Sequence, residues 1–286
     1  MRECDEGLWN NSRKAWSKNL SSILITKAFE KAEKEGRPAL ISYTVIGDPS
    51  KEVSLEILKS ISKSVDIAEF GISHNCPIGD GIAIQDSTFR ALTNKIKFLD
   101  SFSVVKKFKE TNKSTPIIFM LYYNLILQFG EDKFIEECKR CGVSGLIVVD
   151  LPYPINKDFA DRCKENDISF ISLLSPTTTK ERAKAIIKNS HNMVYYISML
   201  STTGGVLKVD PKEIIKRYNE MRSLDKSKYY AIGFGITEKT ISSLREAQGL
   251  VIGSMLCREI ARSLDKNENP VTNLTKMTNS LKEKII

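Results

Sequence analysis

The chain has 286 residues, 41% of them hydrophobic, and a formal net charge of +8. This length suits one large α/β barrel or two smaller domains. It contains no apolar run of about 18 residues, so no membrane span is expected, and its polar N-terminus is not typical of a secretory signal. The Lys and Arg residues are spread along helical patterns without interleaved aromatic residues, which favours a solvated basic surface over a nucleic-acid interface.

The six cysteines are scattered through the chain without a disulfide-rich pattern. This usage favours a reducing compartment and predicts a cytoplasmic location. Cys138 and Cys141 form a C-x-x-C pair, but the pair lies in a helical pattern with no second pair and no suitably spaced His. We therefore interpret these residues as positions on a helix face rather than as a zinc or redox site.

Apolar strands alternate with amphipathic helices along the chain. In chain order, the pattern predicts helix 20–35, strand 39–46, helix 53–61, strand 65–71, helices 89–96 and 102–111, strand 116–121, helix 132–141, strand 145–149, helix 155–165, strand 168–174, helix 179–188, strand 193–197, helix 211–221, strand 229–232, helix 237–247, strand 250–252, and helices 254–263 and 271–284. Strict alternation indicates right-handed βαβ units and a parallel sheet.

Eight such units favour an α/β fold of the (β/α)8 TIM-barrel type with an extra N-terminal helix. An open doubly wound sheet is the alternative, but no Gly-rich dinucleotide motif follows the first strand. We expect a single barrel domain over residues 1–286, with an N-terminal extension at 1–19 and a C-terminal helix at 271–286.

Residues 67–85 contain two acids in different settings. Glu69 lies inside the apolar second strand, where a carboxylate is costly unless it is paired or catalytic, and where burial raises its pKa. Asp80 lies in the Gly-rich loop that follows, where we expect it to stay solvated and ionised. The two acids could form an acid–base pair. From these residues alone, a Glu69 paired with Lys or Arg and an Asp80 in an ordinary turn is the slightly favoured interpretation.

Glycine-containing loops follow the seventh and eighth strands, at Gly233-Phe234-Gly235 and at Gly253-Ser254. In a (β/α)8 barrel these two loops form the usual phosphate site, where main-chain N–H groups and a helix N-terminus hold the anion. Either loop alone would indicate a tight turn. Together they predict phosphate binding.

The order and spacing of the motifs resemble the tryptophan synthase alpha subunit family over residues 20–263. The matching motifs are Gly47-Asp48-Pro49, Glu69-Phe70-Gly71, Pro77-Ile78-Gly79-Asp80-Gly81 with Ile84-Gln85, Leu121-Tyr122-Tyr123-Asn124, Asp150-Leu151-Pro152, Ser175-Pro176-Thr177, Tyr195-Tyr196-Ile197-Ser198, Thr203-Gly204, Gly233-Phe234-Gly235-Ile236 and Gly253-Ser254. The resemblance implies cleavage of indole-3-glycerol phosphate to indole and glyceraldehyde 3-phosphate in tryptophan biosynthesis, with no cofactor or metal on this chain. It also implies an α2β2 assembly with a β subunit that carries pyridoxal phosphate.

The resemblance further implies roles for individual residues. Glu69 matches the catalytic acid–base residue, and Asp80 matches the catalytic residue that accepts the indole N–H. The substrate-binding residues implied are Tyr122, Tyr195 and Thr203, and the phosphate-binding residues implied are Gly204, Phe234, Gly235, Gly253 and Ser254.

Two loops depart from the family pattern. After Gly71 the family usually reads Pro-Phe-Ser-Asp-Pro, whereas this chain reads Ile-Ser-His-Asn-Cys-Pro, and Ile82 stands where the family has Pro. The loop at residues 198–204 lacks the family's Arg. Because these loops close the site and signal to the β subunit in the family, we expect weaker coupling to a partner. We expect His74, on the first loop, to be solvated and His191 to lie at the surface.

Three alternatives remain. They are a stand-alone lyase that releases indole, a weakly catalytic or non-catalytic subunit that activates a β partner, and another phosphate-binding barrel. Retention of Glu69 and Asp80 weighs against the second. No Lys ends the sixth strand, which weighs against an aldolase that forms a Schiff base.

Overall fold

Parallel strands form the wall of a barrel in this computed structural model, which describes residues 21–198 and 210–286. The strands within these residues are β1 Ala39–Val45, β2 Ile67–Gly71, β3 Ile117–Leu121, β4 Gly145–Val148, β5 Ser169–Phe170, β6 Ser172–Leu174, β7 Met193–Ile197, β8 Tyr229–Gly233 and β9 Gly249–Ile252. The helices are Ile23–Lys34, Lys51–Ile61, Ile82–Thr93, Phe98–Thr111, Tyr123–Phe129, Glu131–Cys141, Lys157–Glu165, Lys180–Asn189, Pro211–Arg222, Ser254–Asp265 and Pro270–Glu283, with a 3-10 helix at Ile241–Leu244.

The strands are hydrogen-bonded in the order β5-β4-β3-β2-β1-β9-β8-β7-β6. Every pair is parallel, and β1 joins the two ends of the chain because it pairs with β2 on one side and with β9 on the other. The predicted α/β fold of the TIM-barrel type is confirmed. None of the helices in the described ranges is both long enough and apolar enough to cross a membrane.

The fifth predicted strand is split in two at Ile171. Its first half, β5, pairs with β4, and its second half, β6, pairs with β7. The Ile171 N–H still donates to the Leu146 carbonyl at 2.9 Å, but the Ser172 N–H donates to Ser190 Oγ at 2.9 Å. The two ends of the sheet, β5 and β6, are therefore joined at this position by the chain itself and not by hydrogen bonds between neighbouring strands. The continuous apolar run at 168–174 could not indicate this break.

The strand side chains are buried on both faces, which explains their nearly continuous apolar sequences. The inward-facing side chains form one core with Ile25 and Phe29 of the N-terminal helix. Phe29 stacks on Tyr229 at the start of β8, with ring centroids 4.7 Å apart. The predicted extra helix thus covers the amino-terminal end of the barrel and leaves the opposite end to the loops that follow the strands.

Some helix predictions were wrong in their bounds. The helix expected at 89–96 spans Ile82–Thr93, and Tyr123–Phe129 was not predicted. The helix expected at 237–247 is only the short 3-10 helix, because Thr240 Oγ1 accepts from the Thr237 N–H and so forms a local turn that competes with an α-helix.

Candidate active site

The candidate site residues meet at the carboxyl ends of the strands, around two adjoining cavities. The larger cavity, of about 410 Å³, is lined by Tyr43, Glu69, Ile84, Met120, Tyr195, Phe234, Gly235, Ile236, Val251, Gly253 and Ser254. The smaller, of about 260 Å³, is lined by Tyr43, Ile72, His74, Pro77, Asp80, Thr88, Met120, Leu121, Tyr122 and Val149. The structure therefore brings every described candidate residue to one place. Thr203 and Gly204 lie outside the described residues.

Glu69 is a buried carboxyl group without a partner in the described part of the chain. Its side chain projects from the middle of β2, the residue is 1% exposed, and Oε1 has no hydrogen-bond partner. Burial, and secondarily the negative charge of Asp80, raises the pKa of Glu69 to about 8. The interpretation that Glu69 pairs with a Lys or Arg is therefore wrong. At neutral pH the carboxyl group holds a proton that it can give away.

Asp80 is also buried, at 9% exposure, so the expectation of a solvated loop acid is wrong. Burial raises the pKa of Asp80 to about 6, although a hydrogen bond from Tyr122 opposes the rise. The Tyr122 hydroxyl donates to Asp80 Oδ2 at 3.3 Å and accepts from the Gly79 N–H at 3.0 Å. Tyr122 thus fixes both the carboxylate and the loop that carries it. The sequence shows that the loop can turn tightly, but not that it folds against β3.

Tyr195, in β7, lines the larger cavity together with Glu69. Its ring meets Phe234 edge-on, with centroids 6.4 Å apart. Its hydroxyl lies across Gly233, where an added Cβ would fall 2.0 Å from Oη. Burial raises the pKa of Tyr195 well above its usual range, and the charge of Glu69 adds to the rise. The phenol therefore stays protonated and can donate a hydrogen bond into the larger cavity.

The loops after β8 and β9 form a main-chain cradle at the far wall of the larger cavity. Phe234 and Gly235 have φ values of +71° and +66°, a left-handed turn that Gly235 adopts without strain. A helix begins at Ser254, directly after Gly253. The N–H groups of its first turn have no acceptor within the helix, and its dipole places partial positive charge there. The two loops can hold an anion such as phosphate.

The sequence alone did not assign Tyr43 or His74 to this site. Tyr43 lines both cavities, and strand register could have indicated it, because Tyr43 is the β1 neighbour of Glu69. His74 is half-buried rather than solvated, and its ring centroid lies 5.1 Å from that of Tyr122. Only the course of the loop after β2 places it there.

His191 is away from the site and is partly buried, not fully at the surface. Its Nδ1 accepts from the Phe170 N–H at 3.3 Å. Burial, followed by the nearby positive charges of Lys164 and Lys228, lowers its pKa to about 4. It is a neutral structural residue beside the split strand.

The comparisons with known proteins agree with one another. A family model described as "Tryptophan synthase alpha chain" matches residues 29–286. The chain is 60% identical to the tryptophan synthase alpha chain of Pelagibacter ubique over 92% of this chain and 99% of that protein. It is 35% identical to that of Methanocaldococcus jannaschii over 85% of this chain and 86% of that protein.

Solved structures give the same result. The crystal structure of tryptophan synthase subunit alpha from Legionella pneumophila has a TM-score of 0.85 at 29% identity, covering 92% of this chain and 98% of that one. A structure from Pyrococcus furiosus, described as showing the basis of mutual activation of the tryptophan synthase α2β2 complex, has a TM-score of 0.77 at 34% identity, covering 85% and 97%.

Proposed function

The chain belongs to the tryptophan synthase alpha chain family, as a lyase that cleaves indole-3-glycerol phosphate in tryptophan biosynthesis, and we propose that Glu69 moves the protons of this reaction. The observation behind this proposal is that Glu69 is a buried carboxyl group on the cavity wall, with a pKa of about 8 and one oxygen that has no partner among the described residues. A group with a pKa near the working pH can both give and take a proton. The stand-alone and non-catalytic alternatives have no observation in their favour.

The reaction needs two proton transfers, and one carboxyl group can serve both. Protonated Glu69 gives its proton to indole C3, which leaves the ring nitrogen positively charged. The hydroxyl on the carbon attached to C3 then returns a proton to the Glu69 carboxylate. Its O–H electron pair forms the carbonyl of glyceraldehyde 3-phosphate, the carbon–carbon bond breaks, and the bond's electrons restore neutral indole. Glu69 ends the cycle protonated, so no other proton source is required.

Asp80 balances the charge that develops on the ring nitrogen. With a pKa of about 6 it is ionised at neutral pH while Glu69 is protonated, so the two acids hold the charge states that their roles require. Its carboxylate accepts the indole N–H, and the hydrogen bond strengthens as the nitrogen becomes positive. Tyr122 holds the carboxylate in place.

The substrate phosphate lies at the opposite end of the cavity in this proposal. Main-chain N–H groups at Phe234, Gly235, Gly253 and Ser254 bind it, and Tyr195 contacts the substrate between the two ends. The family resemblance adds Gly204 as a phosphate-binding residue and Thr203 as a substrate-binding residue, both outside the described residues. Gly235→Asp and Ser254→Asp should each abolish inhibition by glycerol 3-phosphate, because a carboxylate in the cradle repels the anion. Unchanged inhibition in both variants would place the phosphate elsewhere.

We also propose a cytoplasmic α2β2 assembly with a β subunit that carries pyridoxal phosphate. The similar Pyrococcus furiosus structure is described as one of a tryptophan synthase α2β2 complex. Large apolar side chains are exposed in the segments that follow β2 and β4, at the site end of the barrel. Ile78 is 76% exposed, Ile82 at the start of the next helix is 77% exposed, and Ile155 is 73% exposed. Exposed apolar side chains grouped at one end of a molecule favour a partner surface there.

The altered loops predict weaker mutual activation than in family members whose loops are complete. Asn75 and Cys76 are exposed on the loop after β2, and the changes at residues 199–202 lie outside the described residues. Typical couplings are about 1–3 kcal/mol, so the loss of one or two contacts can remove most of the effect.

The deciding experiment is an assay of the purified protein with indole-3-glycerol phosphate, followed by titration of the cognate β subunit. We expect basal cleavage and a modest activation by β. Absence of cleavage in both conditions would contradict the proposed role of Glu69. Activation by orders of magnitude would contradict only the weakened coupling.

A further inference from the structure

Tyr43 is placed within the site but has no role in the mechanism above. It lies on β1 directly beside Glu69 on β2, with both side chains facing the barrel interior. Tyr43 is 5% exposed and lines both cavities, so it stands between the cavity that contains Glu69 and the cavity that contains Asp80. This is the region that the reacting carbons must occupy if Asp80 binds the ring nitrogen and the cradle binds the phosphate.

The Tyr43 ring is held between two glycines. A Cβ at Gly71, at the end of β2, would lie 2.1 Å from Tyr43 Oη, and a Cβ at Gly253, after β9, would lie 3.2 Å from Tyr43 Cβ. Any larger residue at Gly71 would therefore displace the hydroxyl. The backbone leaves this space for the hydroxyl, beside the two cavities that Tyr43 lines. A substrate oxygen in these cavities can accept a hydrogen bond from it.

We propose that the Tyr43 hydroxyl donates a hydrogen bond to the substrate oxygen that becomes the aldehyde oxygen of glyceraldehyde 3-phosphate. The inference rests on the proposed role of Glu69, which removes the proton from that same oxygen. Negative charge grows on the oxygen as its proton leaves, and a fixed donor stabilises the charge at that moment. Tyr43 keeps its own proton throughout, so the balance of the reaction is unchanged.

Two observations favour this oxygen over the other polar groups of the substrate. The indole N–H is itself a donor and is paired with Asp80 in the proposed mechanism, while the phosphate lies at the loops after β8 and β9. Burial, followed by the charge of Asp80, raises the pKa of Tyr43 well above its usual range, so the phenol is a donor at any working pH. Of the substrate's two hydroxyls, the one that Glu69 deprotonates is the acceptor in this proposal, because Tyr43 lies directly beside Glu69.

The test is Tyr43→Phe, which removes one oxygen and keeps the ring. We expect kcat for indole-3-glycerol phosphate to fall about 10-fold, the loss typical of one such hydrogen bond, while KM changes less than about 3-fold. The dissociation constant of indolepropanol phosphate, which has the ring, the chain and the phosphate but neither hydroxyl, should not change. The matched control is Tyr229→Phe, at the opposite end of the barrel, which should leave all three values unchanged.

The outcomes separate this inference from the proposed function. A kcat of Tyr43→Phe within about 2-fold of the parent overturns the role of Tyr43. The role is also overturned if indolepropanol phosphate binding weakens by the same factor as kcat/KM, because loss of a residue that only packs in the site would give that result. Glu69→Gln in the same assay checks the function itself. Full activity in Glu69→Gln overturns the role of Glu69 and the inference with it, whereas loss there with normal Tyr43→Phe overturns the inference alone.

Discussion

Strand β2 has buried carboxyl groups in opposite circumstances just before its start and at its middle. Asp66, just before the strand, accepts hydrogen bonds from Arg37 Nη1 at 2.6 Å, from Arg37 Nη2 at 2.9 Å and from the Leu40 N–H at 2.8 Å. Glu69, three positions along, faces the cavity with one oxygen unpartnered among the described residues. Both are buried in the same wall of the barrel, so burial alone does not decide what an acid does.

The difference lies in what each environment supplies. A carboxylate paired with an Arg and hydrogen-bonded is fixed in place, and removing its partner would leave an uncompensated buried charge. An unpaired buried carboxyl prefers its protonated form and titrates near neutrality. In the proposed mechanism, Asp66 at the start of β2 serves stability, and Glu69 at its middle serves proton transfer. Substitutions at these acids and at their partners test this division.

The largest effect is expected for Glu69→Gln. The amide keeps the shape of the side chain but cannot move protons, so cleavage should fall by about 10²-fold or more. Steady-state release of indole measures the loss. Glu56→Gln, on an exposed outer position of the helix after β1, is the control and should retain parental activity. Cleavage within a few-fold of the parent in Glu69→Gln would end the assignment.

Arg37→Met tests the acid at the start of the strand. It leaves Asp66 buried without its partner, which typically costs about 3–5 kcal/mol of unfolding free energy. Urea unfolding measures the loss, and cleavage per folded molecule should remain normal because Arg37 lies away from the cavity. A loss of stability below about 1 kcal/mol would show that the pair does not hold this end of the strand.

Asp80→Asn should lower turnover by about 10²-fold while raising KM much less. The amide can still contact the ring N–H but cannot balance positive charge. Steady-state kinetics separates the two constants. A rise in KM with normal turnover would make Asp80 a binding residue only.

The pH profile of kcat/KM should be bell-shaped. Asp80 must be ionised, so activity rises as the pH increases through about 6, and Glu69 must start protonated, so activity falls as the pH increases through about 8. Each limb changes about 10-fold per pH unit beyond its pKa. Asp80→Asn should lose the acidic limb and keep the basic one. A flat profile between about pH 5 and pH 9 would exclude both titrations.

The smallest effect is a gain in stability in Glu69→Gln. The native state raises the pKa of Glu69 from 4.5 to about 8, so it binds more protons than the unfolded chain and its stability falls as the pH rises through that interval. Glutamine does not titrate. The variant should therefore be more stable than the parent at about pH 8.5, by about 1–3 kcal/mol, with no difference at about pH 4. Thermal unfolding at both values decides this.

Most of the barrel could be predicted from sequence because parallel strands buried on both faces have continuous apolar runs. Glu69 stood out as an acid in such a run. The environment of Asp80 could not be predicted, since the fold of its loop against Tyr122 depends on contacts 42 residues apart. The split at Ile171 could not be predicted for a similar reason. The Ser172 N–H donates to the side chain of Ser190, 18 residues away in the chain, instead of to a neighbouring strand.

The pairing of β1 with β9 has a consequence for folding. Ala39 pairs with Gly249, whereas β1 and β2 pair residues much closer in the chain, such as Ile41 and Ile67. Long-range pairing is slow because chain entropy must be lost before the contacts form. The larger cavity is made of Tyr43 from β1 and of Gly253 and Ser254 just past β9, so it exists only after that pairing. During refolding, the recovery of indole release would consequently lag behind helix formation. Its rate would report the rate at which β1 pairs with β9.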